Sequence, residues 1–349
     1  MLCTACTTEV PDDDLFCENC GTDLRAARTA TPGACTCGAG DGEVDEEGFC
    51  ERCGRRVRRP PSDHIEEALS PACAAVSDRG IRHDRNEDRF GIFASDGAHA
   101  LVVCDGVSAT PNAEVASGEV TAAVLASLSE AIRQGAFHTP ETATRNASET
   151  AMRAAVAAGL ASLTSLTAWG DDENMPSTTA VAALVVEGVA TIGWVGDSRA
   201  YWIRASGAAA LTTDHSWRND VVATGQMTEA EADAAPQAHA ITRWIGADSG
   251  EAAEPDIVQH QLTPGGTLLL CTDGLWNYAA TPQAMAETLR AAESAGEEAL
   301  GTARRLIQFA LDCGGKDNIT VALLRVAGEP QPLVELRAEV RAEVKAELN

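Results

Sequence analysis

The order of apolar runs along this 349-residue chain predicts an α+β fold, a central sandwich of two mainly antiparallel β-sheets flanked by α-helices and preceded by small cysteine-built modules. Three observations carry that expectation. Short runs rich in valine and leucine come in clusters instead of alternating one for one with helices, which disfavours a doubly wound parallel sheet. Long alanine-rich stretches with helical spacing lie between those clusters. Eight of the twelve cysteines fall in the first 53 residues, in a repeated pattern.

The repeat comes first along the chain. Phe16-Cys17-Glu18-Asn19-Cys20-Gly21 returns as Phe49-Cys50-Glu51-Arg52-Cys53-Gly54, the mark of a duplicated small module. Cys3-x2-Cys6-x10-Cys17-x2-Cys20 sets four thiolates in two pairs, which matches a closed tetrahedral zinc site. The second set, Cys35-x-Cys37-x12-Cys50-x2-Cys53, lacks one residue in its first pair, and zinc is still the expected ion. Modules this short bury no core, so two structural Zn²⁺ ions would have to drive the folding of residues 1–57. The start Met1-Leu2-Cys3-Thr4-Ala5 has neither a basic patch nor an apolar signal core. A cytoplasmic location is expected, where reduced thiols bind metal rather than one another. Residues 58–70, with Pro60-Pro61 after a basic run, read as an exposed linker to a domain spanning 71–328.

Within that domain 90–94, 101–104, 181–186, 190–195, 199–203, 267–271 and 319–326 read as strands. Segments 112–133, 141–168, 282–293 and 297–311 have the alanine content and apolar spacing of helices. The stretch 178–195 is apolar enough to imitate a membrane span, but Glu187-Gly188 divides it, and two strands joined by a tight turn are expected instead. Residues 329–349 repeat Arg-Ala-Glu-Val and align Leu336, Val340, Val344 and Leu348 on one helical stripe. A solvated helix laid against the domain is the expectation for this tail, with a partner-binding helix as the alternative.

Composition narrows the partners. A formal net charge of −26 repels nucleic-acid phosphates and anionic lipid, so neither nucleic acid nor membrane is expected, and protein or small-molecule partners are. Cys73, Cys104, Cys271 and Cys313 are scattered and read as small buried residues rather than nucleophiles.

The informative side chains are acids at strand ends. Glu87-Asp88 precedes one apolar run, Asp105-Gly106 ends the next, Asp273-Gly274 ends a third, and Asp317-Asn318-Ile319-Thr320 opens the last. Four separated carboxylates without a His or Cys cluster are hard oxygen ligands, suited to Mn²⁺ or Mg²⁺ rather than zinc.

At these residues the chain resembles the metal-dependent PPM-type protein phosphatases, also called type 2C serine/threonine phosphatases. The resemblance spans about 72–326 and keeps the order of the family's motifs: an altered Arg-x-x-Asn-Glu-Asp ending at Asp88, then Cys104-Asp105-Gly106, Ser177-Thr178-Thr179, Gly196-Asp197-Ser198-Arg199, Arg243-Trp244-Ile245-Gly246, Thr272-Asp273-Gly274 and Asp317-Asn318-Ile319-Thr320. It implies hydrolysis of phosphoserine and phosphothreonine in proteins, in bacterial signalling, by a hydroxide held between two divalent metals. By that resemblance Asp105 bridges both ions, Gly106 offers its carbonyl, Asp273 and Asp317 hold one ion, and Asp88 serves the other directly or through water. Glu87 is expected to stand behind the ligands. The stretch 193–201 is expected to be structural, with Arg199 and Asp197 pairing internally.

Three departures accompany the match. His83 stands where the family places an arginine that grips the substrate phosphate, which makes His83, Arg82 and Arg85 the expected phosphate contacts. Val107-Ser108-Ala109-Thr110 follows Asp105-Gly106, so no general acid is evident there. Asn174 occupies the place of an acid that holds a third metal, and Asp172 or Glu173 are the nearby substitutes. The cysteine modules resemble the double zinc ribbons found beside bacterial regulatory domains, which implies docking to a protein partner. Two other functions remain open on this sequence: a non-catalytic module that binds phosphoproteins, and a phosphatase for a small phosphorylated metabolite.

Overall fold

The computed structural model describes Cys37 and residues 50–53, 63–137, 141–165, 175–293 and 298–327. The chain divides into two compact units, Met1–Asp63 and His64–Asn349. In the first, the sulfurs of Cys37, Cys50 and Cys53 lie within 4.8 Å of one another, three donors of the second expected zinc set. Cys50 is buried between its two exposed neighbours in that cluster. Cys3, Cys6, Cys17, Cys20 and Cys35 lie outside the described residues, as do Asp172, Glu173, Asn174 and the tail 329–349.

The second unit is built on thirteen described strands: β1 (His64–Ser70), β2 (Cys73–Asp78), β3 (Asp88–Ser95), β4 (Ala98–Asp105), β5 (Ser177–Thr178), β6 (Ala180–Val186), β7 (Val189–Val195), β8 (Arg199–Arg204), β9 (Gly207–Ala210), β10 (Ile245–Gly246), β11 (Asp256–Gln261), β12 (Gly266–Cys271) and β13 (Ile319–Val326). One sheet runs β1-β2-β13-β12-β8-β9, a second runs β11-β7-β6-β4-β3, and β5 pairs with β10. Every pairing is antiparallel.

Period-two alternation sorts each strand's side chains between two cores. Leu101 and Val103 of β4, Val181 and Ala183 of β6, Leu268 and Leu270 of β12 and Ala322 and Leu324 of β13 fill the space between the sheets. Their neighbours Val102, Cys104, Ala182 and Leu184 turn outward onto helices Ala113–Arg133 and Glu141–Ser165. On the opposite side Leu269, Cys271, Val321 and Leu323 meet helices Pro282–Glu293 and Ala299–Asp312. With both faces covered, the central strands read as unbroken apolar runs although the sheets are antiparallel. Helix Ala113–Arg133 is long and apolar enough to cross a bilayer, but its Ala116, Val120, Val124, Leu128 and Ile132 are buried against the second sheet.

The turn between β6 and β7 is Glu187-Gly188, with φ of 49° and 76°, the two left-handed residues that a type I′ hairpin requires. The apolar stretch 178–195 is therefore strand, turn and strand. The segment 58–70 departs from expectation: β1 occupies its second half and pairs along β2, so the folded unit starts near His64 and not at residue 71. Cys73, Cys104 and Cys271 are buried as expected, whereas Cys313 is exposed.

Candidate active site

The acids converge at one end of the sandwich because the strands that carry them end there. Asp88 opens β3 and Asp105 closes β4, and the two are direct cross-strand partners. Asp273 follows β12, and Asp317 precedes β13, its neighbour in the six-stranded sheet. Asp273 lies close enough to Asp105 for its charge to act on that carboxyl, so acids from the two sheets meet here. A fifth acid, Asp197, lies between β7 and β8 and lines a cleft of about 500 Å³ with Asp273, Asp317, Asn277, Tyr278, His239 and Lys316. A groove of the same volume between helices Pro282–Glu293 and Ala299–Asp312 gathers no comparable chemistry.

Neutral hydrogen bonds hold the acids in place. The Thr272 hydroxyl donates to Asp88 Oδ2 at 2.9 Å, and Thr320 also bonds this carboxyl. Thr178 Oγ1 and the Thr179 amide both donate to the Asp105 carbonyl, each at 2.7 Å. Asn318 ties the segment before β3 to the segment before β13: its Nδ2 donates to the Arg79 and Arg85 carbonyls, and its Oδ1 accepts from the Glu87 amide at 2.7 Å. Gly106 passes between backbones so closely that a Cβ would sit 2.7 Å from the Ala113 and Glu87 carbonyl oxygens. Its own carbonyl accepts no hydrogen bond among the described residues.

The electrostatics are those of crowded carboxylates. Burial, then the charges of Asp317 and Asp273, push Asp88 up to about 8 despite its two hydroxyl donors. Burial together with Asp88 and Asp273 raises Asp105 well above the ordinary range. Asp273 is pushed up to about 8 by burial, Asp197 and Asp317, and Asp197 up to about 7 by burial and Asp214. Asp317 goes the other way: burial works against it, but the hydrogen bond and charge of His83 hold it low. Among the described residues no basic side chain forms an ion pair with Asp88, Asp105, Asp197 or Asp273. Buried like charges held within reach of one another, offering only oxygen donors, fit divalent cations of the Mn²⁺ or Mg²⁺ kind.

The expected phosphate contacts are placed as follows. His83 Nε2 lies 3.0 Å from Asp317 Oδ1, and Arg85 pairs with Glu114 at 3.1 Å. Arg82 is exposed, its amide bonded to the Gly315 carbonyl. The Glu87 carboxylate accepts from the Ser108 hydroxyl.

Arg199 does not pair with Asp197. Its guanidinium grips Asp214 through two bonds of 2.8 and 2.7 Å and lies 3.7 Å over the Trp276 ring. Trp276 Nε1 donates in turn to the Asp197 carbonyl at 3.0 Å. That frame leaves the Asp197 carboxylate facing the cleft. The Gly196 amide is fixed by His215 Nδ1, whose other nitrogen lies between Arg243 and Asp256. Asp197, expected from the sequence to pair internally, instead lines the cleft from its place just past the end of β7.

Comparison with known proteins identifies the family of the domain that carries these acids. A family model for protein phosphatase 2C matches residues 80–308, well over half of the chain. The chain belongs to the protein phosphatase 2C family. A zinc-ribbon domain model matches residues 2–24. The serine/threonine protein phosphatase PstP of Mycobacterium tuberculosis is 31% identical over 265 residues, 75% of this chain and 47% of that protein, so the chain spans about half the length of that relative. A serine/threonine phosphatase stp of Listeria welshimeri is 32% identical over 250 residues, 71% of this chain and 93% of its own. The catalytic domain of PstP solved with two manganese ions superposes with a TM-score of 0.54 at 28% identity, covering 73% of this chain and 97% of that domain. The 2C-type domain here has the α+β architecture of these phosphatases.

Proposed function

We propose that this chain hydrolyses phosphoserine and phosphothreonine side chains of proteins, using two divalent cations, Mn²⁺ or Mg²⁺, held by Asp88, Asp105, Asp273 and Asp317 with the Gly106 carbonyl. The observation that carries this reading is the convergence of strand-end carboxylates, Asp88 and Asp105 facing each other across the β3–β4 ladder and Asp273 near enough to act on Asp105, none of these three with a basic partner among the described residues. When bound, such a pair of ions makes water a nucleophile at neutral pH and absorbs the charge that develops on phosphorus. The protein's own part is to keep its acids from springing apart. Thr272 and Thr320 hold Asp88, Thr178 and Thr179 hold the backbone of Asp105, and Asn318 ties the segments bearing Asp88 and Asp317. Asp317 Oδ1 is bonded to His83 and to the Asn318 amide at 2.8 Å, which leaves Oδ2 for an ion. Segment 107–110 offers no ionisable acid for the leaving serine or threonine oxygen, a role assigned to water in this reading.

The cysteine modules in this reading hold two structural zinc ions and dock the protein to a cytoplasmic signalling partner. The close approach of Cys37, Cys50 and Cys53 supports the second zinc. The test is direct: the purified chain with Mn²⁺ should release phosphate from a phosphothreonine peptide far faster than from small phosphorylated metabolites, and Asp273→Asn should abolish the release. Tight peptide binding without turnover would instead make the chain a phosphoprotein-binding module.

A further inference from the structure

Three acids, Asp197, Asp273 and Asp317, line the cleft. A phosphate ester that enters it is itself an anion. Admission of that anion calls for a cation on the cleft wall.

Most basic groups nearby are already engaged. His83 is on Asp317, Arg85 on Glu114, Arg199 on Asp214, and Arg79 donates to the His83 carbonyl. Lys316 lines the cleft beside Asp197, Asp273 and Asp317, and its ammonium forms no ion pair among the described residues. Only two of the 26 lysine and arginine residues in the chain are lysine, so this position breaks the chain's strong preference for arginine. The base of the side chain is fixed. The Lys316 amide donates to Tyr278 Oη at 3.0 Å, and the preceding Gly315 accepts from the Ile81 amide at 2.8 Å, with φ of 47° and no room for a Cβ against Ile81. A compact ammonium on a flexible stem, anchored at the rim, can follow a phosphate into the cleft and let it leave.

We propose that Lys316 contacts the substrate phosphate and is the residue that admits a phosphorylated side chain to this acid-lined cleft. The proposal rests on the phosphatase reading, and three measurements keep the two apart. In the first, a fluorescent peptide carrying a non-hydrolysable phosphonate in place of phosphothreonine is titrated with the Mn²⁺-loaded full chain and followed by anisotropy. Lys316→Gln should weaken binding about tenfold, Lys316→Arg should restore most of it, and added salt should narrow the gap between wild type and Lys316→Gln. In the second, steady-state hydrolysis of the phosphothreonine peptide should show the Lys316→Gln loss mainly in KM, as expected for a contact made to substrate and transition state alike. Unchanged phosphonate affinity and unchanged KM in Lys316→Gln would overturn the proposal. Wild-type protein that binds the phosphonate but never turns over would overturn the phosphatase reading, and the anisotropy series would still decide the role of Lys316. Mn²⁺ binding by calorimetry separates the two roles: a Lys316→Gln protein that loses ion affinity would place Lys316 in the metal site and overturn its assignment to phosphate.

Discussion

The floor of the acid cleft and its rim are built on different kinds of backbone. Asp88 and Asp105 face each other across the β3–β4 ladder, with Asp88 only 1% exposed, and their positions follow from sheet register. His83, Arg82 and Lys316 stand on the segments between β2 and β3 and before β13, joined through Gly315 and Asn318. A floor fixed by the ladder can hold like charges close together at a cost to stability. A rim of hydrogen-bonded loops can present cations to a substrate without adding to that cost. Under the proposed function, the contrast makes ion binding and substrate choice separable in this molecule.

The sharpest way to break the contrast is at the floor. Asp105→Asn should lower Mn²⁺-dependent phosphatase activity by about a thousandfold or more, since it removes the ligand expected to serve both ions. The same change should raise the melting temperature of the ion-free protein at about pH 8, where the wild type must either ionise or protonate a crowded carboxyl. Lost activity accompanied by a lower ion-free melting temperature would contradict the idea of a floor held under repulsion. Gly274→Ala comes next in size. A Cβ there would lie 1.9 Å from the Asn318 carbonyl oxygen, so the turn that carries Asp273 must move away from the strand that follows Asp317. We expect about 3 kcal/mol of lost stability, read by thermal and chemical denaturation, and weaker ion binding with it.

Acidity sharpens the comparison without a mutation. Asp88 and Asp273 are pushed up to about 8 when folded, against 3.8 in an unstructured chain. The folded state therefore holds these protons more tightly than the unfolded one. Their contribution is complete below about pH 4 and is lost as pH rises toward 8. Zinc-loaded protein freed of Mn²⁺ and Mg²⁺ should melt at progressively lower temperature over that window, and added Mn²⁺ should flatten the slope. A melting temperature independent of both pH and Mn²⁺ would show that the acids are not in conflict.

The floor was also the legible part of the site. Asp88, Asp105, Asp273 and Asp317 each adjoin an apolar run that is buried on both faces, and such runs are recognisable without knowing their partners. The strands that escape sequence reading lack that mark. β1 carries Glu66 and Glu67 along an exposed edge, β2 is built of small residues, β9 reads Gly-Ala-Ala-Ala, and β11 alternates polar groups on another edge. Arg199 finds Asp214 fifteen residues away, which local spacing could not reveal, and its nearer candidate Asp197 is thereby left to the cleft. Lys316 is a single charge on a loop, and only the cleft around it gives it meaning.

His83 tests the boundary between floor and rim with the smallest expected effect. The family resemblance sets this residue where a phosphate clamp is expected, yet its Nε2 is bonded to Asp317 Oδ1. The hydrogen bond and charge of Asp317 raise the imidazole's affinity for a proton against the effect of burial, which favours donation to the carboxylate. A residue that orients a ligand from behind typically changes metal affinity by ten- to a hundredfold when removed. Partial exposure of both partners puts His83 at the lower end, so His83→Ala should weaken Mn²⁺ binding by about tenfold in calorimetry. His83→Gln, which retains a neutral donor of similar reach, should recover most of that affinity. If His83→Ala left ion binding intact and raised only the KM for phosphopeptide, the imidazole would belong with the substrate, and the division between floor and rim would have to be drawn through Asp317 itself.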